Sequence, residues 1–352
     1  LTYQQQEWMD MKNSNVLIIE SCERKKENIH KTCIVHVRNS LIIKDYLQCD
    51  MLAHMSEIPE YLDKKYDAII CMYASPYMKY NAYLEILNNN PQAKMFWLVN
   101  DHDIEDNILL RKWSHENQKT YDMICNNPRE GYRGWILRKK SDGKLLNDWI
   151  TNWNTLNLNT LIFDKSKYFD ADINKEGVIY YGTFRKHRIK DMLEYNGLDY
   201  DLSSSTKNHE KFKTAGIQAH FIDRLDWEYQ FIAQDIFTKH LNDYKYSLYF
   251  EDVHTHDNYA FMANRFYECV MANVLMLYDF RCLKTLEECG YSFDVTQIVH
   301  NNIDAQDLIK YLDSNPNVYK TLLKIQQSNI EKIIKERNEV LLAISNIIKG
   351  YK

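Results

Sequence analysis

The sequence predicts an α/β chain made of two doubly wound, parallel-sheet domains. Three observations predict it. Apolar runs of strand length alternate with segments of helical character. Those runs are apolar nearly throughout, as strands covered on both faces must be. The alternation then breaks at a polar, charged stretch, KSKYFDADINKEG (165–177), and restarts beyond it. At 352 residues the chain is long for one core and suits two.

In the first half, NVLIIES (15–21) reads as a strand and IIKDYLQCDMLAHM (42–55) as a helix. YDAIICMYA (66–74) is a second strand, followed by the helix YMKYNAYLEILNNN (77–90). AKMFWLVND (93–101) and KTYDMICNN (119–127) are a third and a fourth strand, and NTLIFD (159–164) closes the half as a short fifth. After the break come the strand GVIYYG (177–182), the helix RIKDMLEYNG (188–197) and the strand GIQAHFI (216–222). A helix WEYQFIAQDIFTKHL (227–241), the strand YSLYF (246–250), the helix-strand unit NRFYECVMANVLMLYD (264–279) and a strand YSFDV (291–295) follow. The tail is helical almost throughout and is punctuated at Asn315-Pro316. The expected domains are 1–165, 177–330, and a last helical stretch, 331–352.

Hydrophobic residues make up 45% and charged residues 26% of the chain, an ordinary balance for a globular protein in water. No apolar run approaches the roughly 18–20 residues that span a bilayer, so no membrane partner is expected. The opening LTYQQQEWMDMKN lacks the basic and apolar regions of a secretory leader. Eight cysteines form no CxxC pair, and several, such as Cys71 and Cys125, lie in apolar runs; reduced core thiols in a cytoplasmic protein are expected. The net charge of −5 makes no general case for nucleic acid, but PREGYRGWILRKKSDGK (128–144) is locally basic.

In parallel sheets, ligands sit beyond the carboxyl ends of the strands. Five segments there carry chemistry. Gly182 and Thr183 end a strand, and Arg185, Lys186 and Arg188 follow before a helix. Amides at a helix start together with cations form an anion site suited to a diphosphate; a solvated basic helix start is the plainer alternative, opposed by the helix dipole. No GxGxxG or Walker loop exists in the chain. Arg265 and Glu268 lie three residues apart on one helix. Glu268 can accept two hydrogen bonds from a ribose diol, although on spacing alone a surface ion pair is the simpler reading. Asn100, Asp101, His102 and Asp103 follow a strand; one can deprotonate a hydroxyl, or the acids can cap the next helix. Asp101-x-Asp103 also has the form of a metal-binding pair. In EDVHTHDNYA (251–260), His254, His256 and Asp257 read as a polar sugar-contacting loop, and a metal site lacks visible further ligands. In 128–144, Arg129, Arg133, Arg138, Lys139 and Lys140 can meet phosphates while Tyr132 and Trp135 stack on bases; an ordinary solvated connection is the alternative.

Together these pieces resemble the GT-B nucleotide-sugar glycosyltransferases, whose two Rossmann-like domains face each other across a cleft. The resemblance rests on the basic turn YYGTFRKHR, on NRFYECVMANVLMLYD and on the C-terminal helices. It implies that Arg185 and Lys186 neutralise the donor diphosphate, that Glu268 holds the ribose, and that the last helix crosses back to the first domain. Gly182, Thr183, Arg188, Asp257, Asn264 and Arg265 complete the implied donor site. More narrowly, MFWLVNDHDI resembles the turn at which bacteriophage α-glucosyltransferases of hydroxymethylcytosine DNA admit the acceptor hydroxyl. This implies catalytic roles for Asp101, His102 and Asp103. The acceptor is then a flipped hydroxymethylated base of double-stranded DNA, with Arg24, Lys25, Lys26 and segment 128–144 on the phosphates.

The chain departs from the pattern in three places. Ala260 stands where retaining members carry an acid eight residues before the ribose-binding one, so Asp257, Asp252 or Glu251 would have to substitute. Ala272-Asn273 replaces the Gly after the helix, and ESCERKK (20–26) replaces a Gly-rich first turn. The expected activity is transfer of a sugar from a UDP-sugar donor with no cofactor and no metal, in the cytoplasm (that of the host for a phage-encoded enzyme). The alternatives are a GT-B transferase acting on polysaccharide, lipid or protein, a metal-dependent GT-A transferase using Asp101 and Asp103, and a non-catalytic nucleotide-sugar or DNA-binding module.

Overall fold

A computed structural model describes residues 15–20, 35–72, 80–99, 107–126, 146–167, 175–223, 241–251, 257 and 259–350. The chain divides into two compact units. One comprises residues 1–161 and 337–352, the other 162–336.

In the first unit the described elements are β1 (Val16–Ile19), α1 (Val35–Leu47), β2 (Asp50–Leu52), β3 (Ala68–Cys71), α2 (Tyr80–Asn88), β4 (Lys94–Val99), α3 (Ile108–Asn117), β5 (Tyr121–Asn126) and β6 (Ile150–Leu156). The strands form one sheet in the order β2-β1-β3-β4-β5-β6, parallel throughout. Alternate strand residues serve opposite faces. Leu17, Ile69, Trp97 and Met123 pack on one side, and Ile18, Ile70, Phe96 and Ile124 on the other. Val340, Leu341, Ile344 and Ile348, from the last helix of the chain, cover this second face.

The second unit runs through β7 (Glu176–Tyr181), α4 (Ile189–Leu193), β8 (Asp201–Ser204), α5 (Thr206–Thr214), β9 (His220–Asp223), β10 (Tyr244–Tyr249), α6 (Asn264–Met271), β11 (Leu275–Asp279), α7 (Leu283–Cys289), β12 (Ile298–Val299), α8 (Asn302–Ser314), α9 (Pro316–Gln327) and α10 (Asn329–Lys349), the last of which passes into the first unit from Arg337 on. Its sheet is ordered β12-β11-β10-β7-β8-β9, again parallel. The chain winds outward from β7 to β9, returns to β10 beside β7, and winds out the other way. The topological switch point therefore lies at the carboxyl ends of β7 and β10, where such sheets bind ligands. Both units are doubly wound, Rossmann-like α/β structures, as the alternation predicts.

The edges of the sheets differ from expectation. NTLIFD is not a strand: Leu158–Ile162 forms a 3₁₀ turn, and the outer strand is β6 just before it. β6 is only partly covered, with one residue buried, so it lacks the apolar run that marks a covered strand. YSFDV is likewise not a strand; the edge strand is the two-residue β12. The segment 42–55 contains the end of α1 and then β2, which only three residues define. Of the predicted helix 227–241, all but Leu241 lies outside the described residues.

Helix α6 ends at Ala272, and Asn273 adopts a left-handed φ of 53°. This accounts for Ala272-Asn273 in place of a glycine: Asn is the side-chain-bearing residue that best tolerates this conformation. The buried Lys175 ammonium donates to the carbonyls of Ala272 (2.6 Å) and Asn273 (2.8 Å), satisfying groups exposed at the helix end.

Candidate functional site

The site is built on the end of β7. Successive strand residues point to opposite faces, so Tyr180 and Tyr181 serve different neighbours. Gly182 follows with a φ of +156°, and a Cβ there would displace Arg265: it would stand 2.7 Å from Arg265 Nη1, 3.4 Å from the Tyr180 hydroxyl and 3.6 Å from Arg188 Nη1. Two guanidinium groups thus approach one glycine. The Gly182 N–H donates to the Ser203 carbonyl (3.2 Å), and the Ser204 hydroxyl donates to the Gly182 carbonyl (2.7 Å), locking the turn to β8.

Arg188 is 8% exposed. Its Nη1 donates to the Tyr180 hydroxyl at 2.6 Å, and its Nε is buried without a hydrogen-bond partner. No ion pair of Arg188 occurs among the described residues. A buried cation held by a neutral hydroxyl is costly unless an anion completes it.

Arg265, 9% exposed, stands in the first turn of α6. Its Nη1 donates to the Tyr181 carbonyl (3.0 Å) and its Nη2 to the Phe250 carbonyl (2.8 Å), with Glu251 Oε2 at 3.7 Å. The guanidinium lies over the rings of Tyr180 and Tyr249. Burial opposes its charge, but the surrounding Tyr180, Glu251, Tyr249 and Tyr181 groups outweigh this and raise its pKa above the ordinary value. It therefore stays charged at any working pH.

Glu268 is buried and accepts a hydrogen bond from the Tyr181 hydroxyl at 3.0 Å. Burial, first of all, holds the Tyr181 hydroxyl well above its ordinary pKa, so it remains a donor. The simple surface pair of Arg265 with Glu268 is not what forms. The ion pair of Arg265 is to Glu251, from the strand end of β10, while Glu268 turns to β7.

Among the other expected donor-site residues, Thr183, Arg185 and Lys186 are exposed on the turn that leads into α4. That helix is held to β11 by Arg281, which meets Glu194 (2.7 Å), Asp279 (2.8 Å) and Asp191 (3.4 Å). Asn264 opens α6 behind Ala263, a cap residue with no side-chain acceptor, and its own Oδ1 is buried without a partner. The first-turn amides of α6 therefore lack a side-chain cap and suit an anion. Asp257 is exposed. Of the expected donor-site residues, Arg188 and Arg265 approach Gly182, Glu268 meets the Tyr181 side chain, and Arg185 and Lys186 stay on the exposed turn. Tyr180, Tyr181, Ser204 and the pairing of Glu251 with Arg265 were not read from the sequence; the one signal was a pair of tyrosines at a strand end.

Asp101, His102 and Asp103 lie outside the described residues, as do Arg24, Lys25, Lys26, Asp252, His254, His256 and Arg129, Arg133, Arg138, Lys139 and Lys140. The cap of α3 is Asn107, whose side chain accepts from the Leu110 N–H (3.1 Å), so that helix does not need Asp101 or Asp103 as its cap. Among the described residues no three His, Cys, Asp or Glu side chains cluster as a metal site.

No family model and no curated protein matches the chain by sequence. Solved structures do match in three dimensions. The β-glucosyltransferase of T4 phage superposes with a TM-score of 0.65 at 16% identity, covering 95% of this chain and 98% of that one. The same phage enzyme in complex with UDP-glucose gives 0.63 at 15% identity, covering 95% and 99%. An α-glucosyltransferase solved with UDP and a 13-mer DNA containing an HMU base gives 0.59 at 10% identity, covering 94% and 99%. With its two six-stranded, doubly wound parallel sheets, the chain has the GT-B fold of these glucosyltransferases.

Proposed function

We propose that the chain is a glycosyltransferase that moves a sugar from a UDP-sugar to a hydroxyl acceptor, the acceptor being a hydroxymethylated base in double-stranded DNA. One observation carries the donor half: Arg188 and Arg265 converge on Gly182, Arg188 has no carboxylate partner among the described residues, and Glu268, on α6, accepts from the hydroxyl of Tyr181, the residue before Gly182. The pair of guanidiniums suits a diphosphate. The Glu268 carboxylate suits the two ribose hydroxyls, which need an acceptor-only group. Structures of similar fold solved with UDP-glucose and with modified DNA support the choice of donor and acceptor.

In the reaction, the bond from the anomeric carbon to the diphosphate oxygen breaks, and UDP leaves with an added negative charge. Arg188 and Arg265, preorganised in a site of low dielectric, stabilise that charge, with Arg185, Lys186 and the first amides of α6 assisting. Thr183, Asn264 and Asp257 complete the donor contacts. Asp101, His102 or Asp103 accepts the proton of the acceptor hydroxyl as it attacks. The cationic side chains supply the charge that a metal ion would otherwise bring, so transfer proceeds in chelator. Arg129, Arg133, Arg138, Lys139 and Lys140 bind the DNA phosphates. The test is incubation with UDP-glucose and hydroxymethylated duplex DNA, followed by mass analysis of the nucleosides. A hexose added to the modified base is the expected result. No added mass, with UDP binding intact, removes the DNA acceptor while leaving the donor site; the absence of UDP binding removes both.

A further inference from the structure

Resting on the reading of Gly182 as the diphosphate cradle, we infer that Tyr180 is a positioning residue that arms both cations of the cradle at once. Its hydroxyl accepts from Arg188 Nη1 at 2.6 Å, and its ring lies 5.3 Å beneath the Arg265 guanidinium. Those two interactions use different parts of one side chain, the polar oxygen and the π-face. Tyr180 is itself 0% exposed, so it does not touch the ligand and acts through the two arginines. Its place is rigid: the ring packs on Phe250 at 5.3 Å. Its neighbour Tyr181 faces the other way and serves Glu268. The two consecutive tyrosines thus divide the donor between them, Tyr180 supporting the phosphate end and Tyr181 the ribose end.

The division makes a claim that a merely structural tyrosine would not satisfy. Tyr180→Phe keeps the ring under Arg265 and removes the oxygen that orients Arg188. Binding of UDP weakens by about tenfold, the value of one hydrogen bond to a charged group, while binding of uridine, which has no phosphate, does not change. In an Arg188→Met background the same change has no further effect on UDP, because its route is gone. Arg188→Met also restores the melting temperature that Tyr180→Phe lowers, since it removes the stranded charge; the double variant therefore keeps the test open where the single one fails to fold. Calorimetry with UDP and competition NMR with uridine read the two affinities. Equal losses for UDP and uridine, unchanged UDP binding in Tyr180→Phe, or additive losses in the double variant overturn the assignment. Wild-type protein that binds no UDP overturns the donor site itself, which is a distinct outcome.

Discussion

Gly182→Ala tests the cradle with the smallest available change. The added Cβ would sit 2.7 Å from Arg265 Nη1, closer than real Cβ contacts come, and the backbone φ of +156° is one that residues with side chains rarely adopt. Arg265 cannot swing aside freely. Its Nη1 is tied to the Tyr181 carbonyl at 3.0 Å and its Nη2 to the Phe250 carbonyl at 2.8 Å, with the guanidinium 5.3 Å from the Tyr180 ring and 6.0 Å from the Tyr249 ring. Displacing Nη1 sacrifices one charged hydrogen bond, so the free protein loses about 2 kcal/mol of stability. On the proposed reading, the same displacement also moves a donor to the diphosphate. Losing one charge-assisted bond to a phosphate costs binding about 2 kcal/mol, or roughly 30-fold in Kd for UDP. Calorimetric titration with UDP reads it. Gly216→Ala is the control: φ is +84° there, so folding is strained, but the nearest side-chain atom is Leu193 Cδ2 at 3.7 Å. It is expected to lower stability and leave UDP binding alone. A Gly182→Ala protein that binds UDP within about twofold of wild type would refute the cradle.

Three further outcomes follow from the same geometry. Glu268→Gln swaps a two-oxygen acceptor for a group that is half donor; UDP and uridine affinity are expected to fall by about tenfold or more while pyrophosphate binding stays level, as competitive titrations would show. Burial pushes the Lys175 ammonium down from its ordinary 10.5 to about 8. Below pH 8 both folded and unfolded chains hold this proton, and the burial penalty is present in full. As pH rises from about 8 the folded chain releases it first, so stability increases over the window up to 10.5, by roughly 3 kcal/mol at most. Urea unfolding between pH 7.5 and 9.5 should show the rise in wild type and a flatter profile in Lys175→Met. Asn273→Gly keeps the φ of +53° without strain but loses the bond that Asn273 Oδ1 accepts from Gln327 (2.6 Å), so it should destabilise by about 1 kcal/mol in urea unfolding, and Asn273→Val, which adds backbone strain of about 1–2 kcal/mol, by more.

The inner strands were legible because burial on both faces demands uninterrupted apolar runs: VLII of β1, AIIC of β3 and LMLYD of β11 are buried along their whole lengths. The edges were not. β2 and β12 are too short to carry a pattern, and β6 faces water along much of its length. β8, DLSS, reads as polar because two serines are buried in it; the Ser204 hydroxyl belongs to Gly182 and not to solvent. In the candidate site, Gly182 and Arg188 are marked by their position after a strand, whereas Arg265 and Glu268 are marked by the resemblance, since helical spacing alone favours a surface pair. Their partners are marked by neither. Helix α6 is buried from Arg265 through Met271, so side chains three residues apart are drawn to different strands instead of to each other. Arg265 goes to β10 and the β7 backbone, Glu268 to a tyrosine. Helical spacing specifies which groups share a face, and tertiary packing decides whom they meet.

The most direct test is a crystal structure of the chain with UDP bound. The diphosphate is expected beside Gly182, within hydrogen-bond distance of both Arg188 and Arg265, and the ribose hydroxyls on the carboxylate of Glu268. A nucleotide seated elsewhere on the chain, or none at saturating concentration, would contradict this.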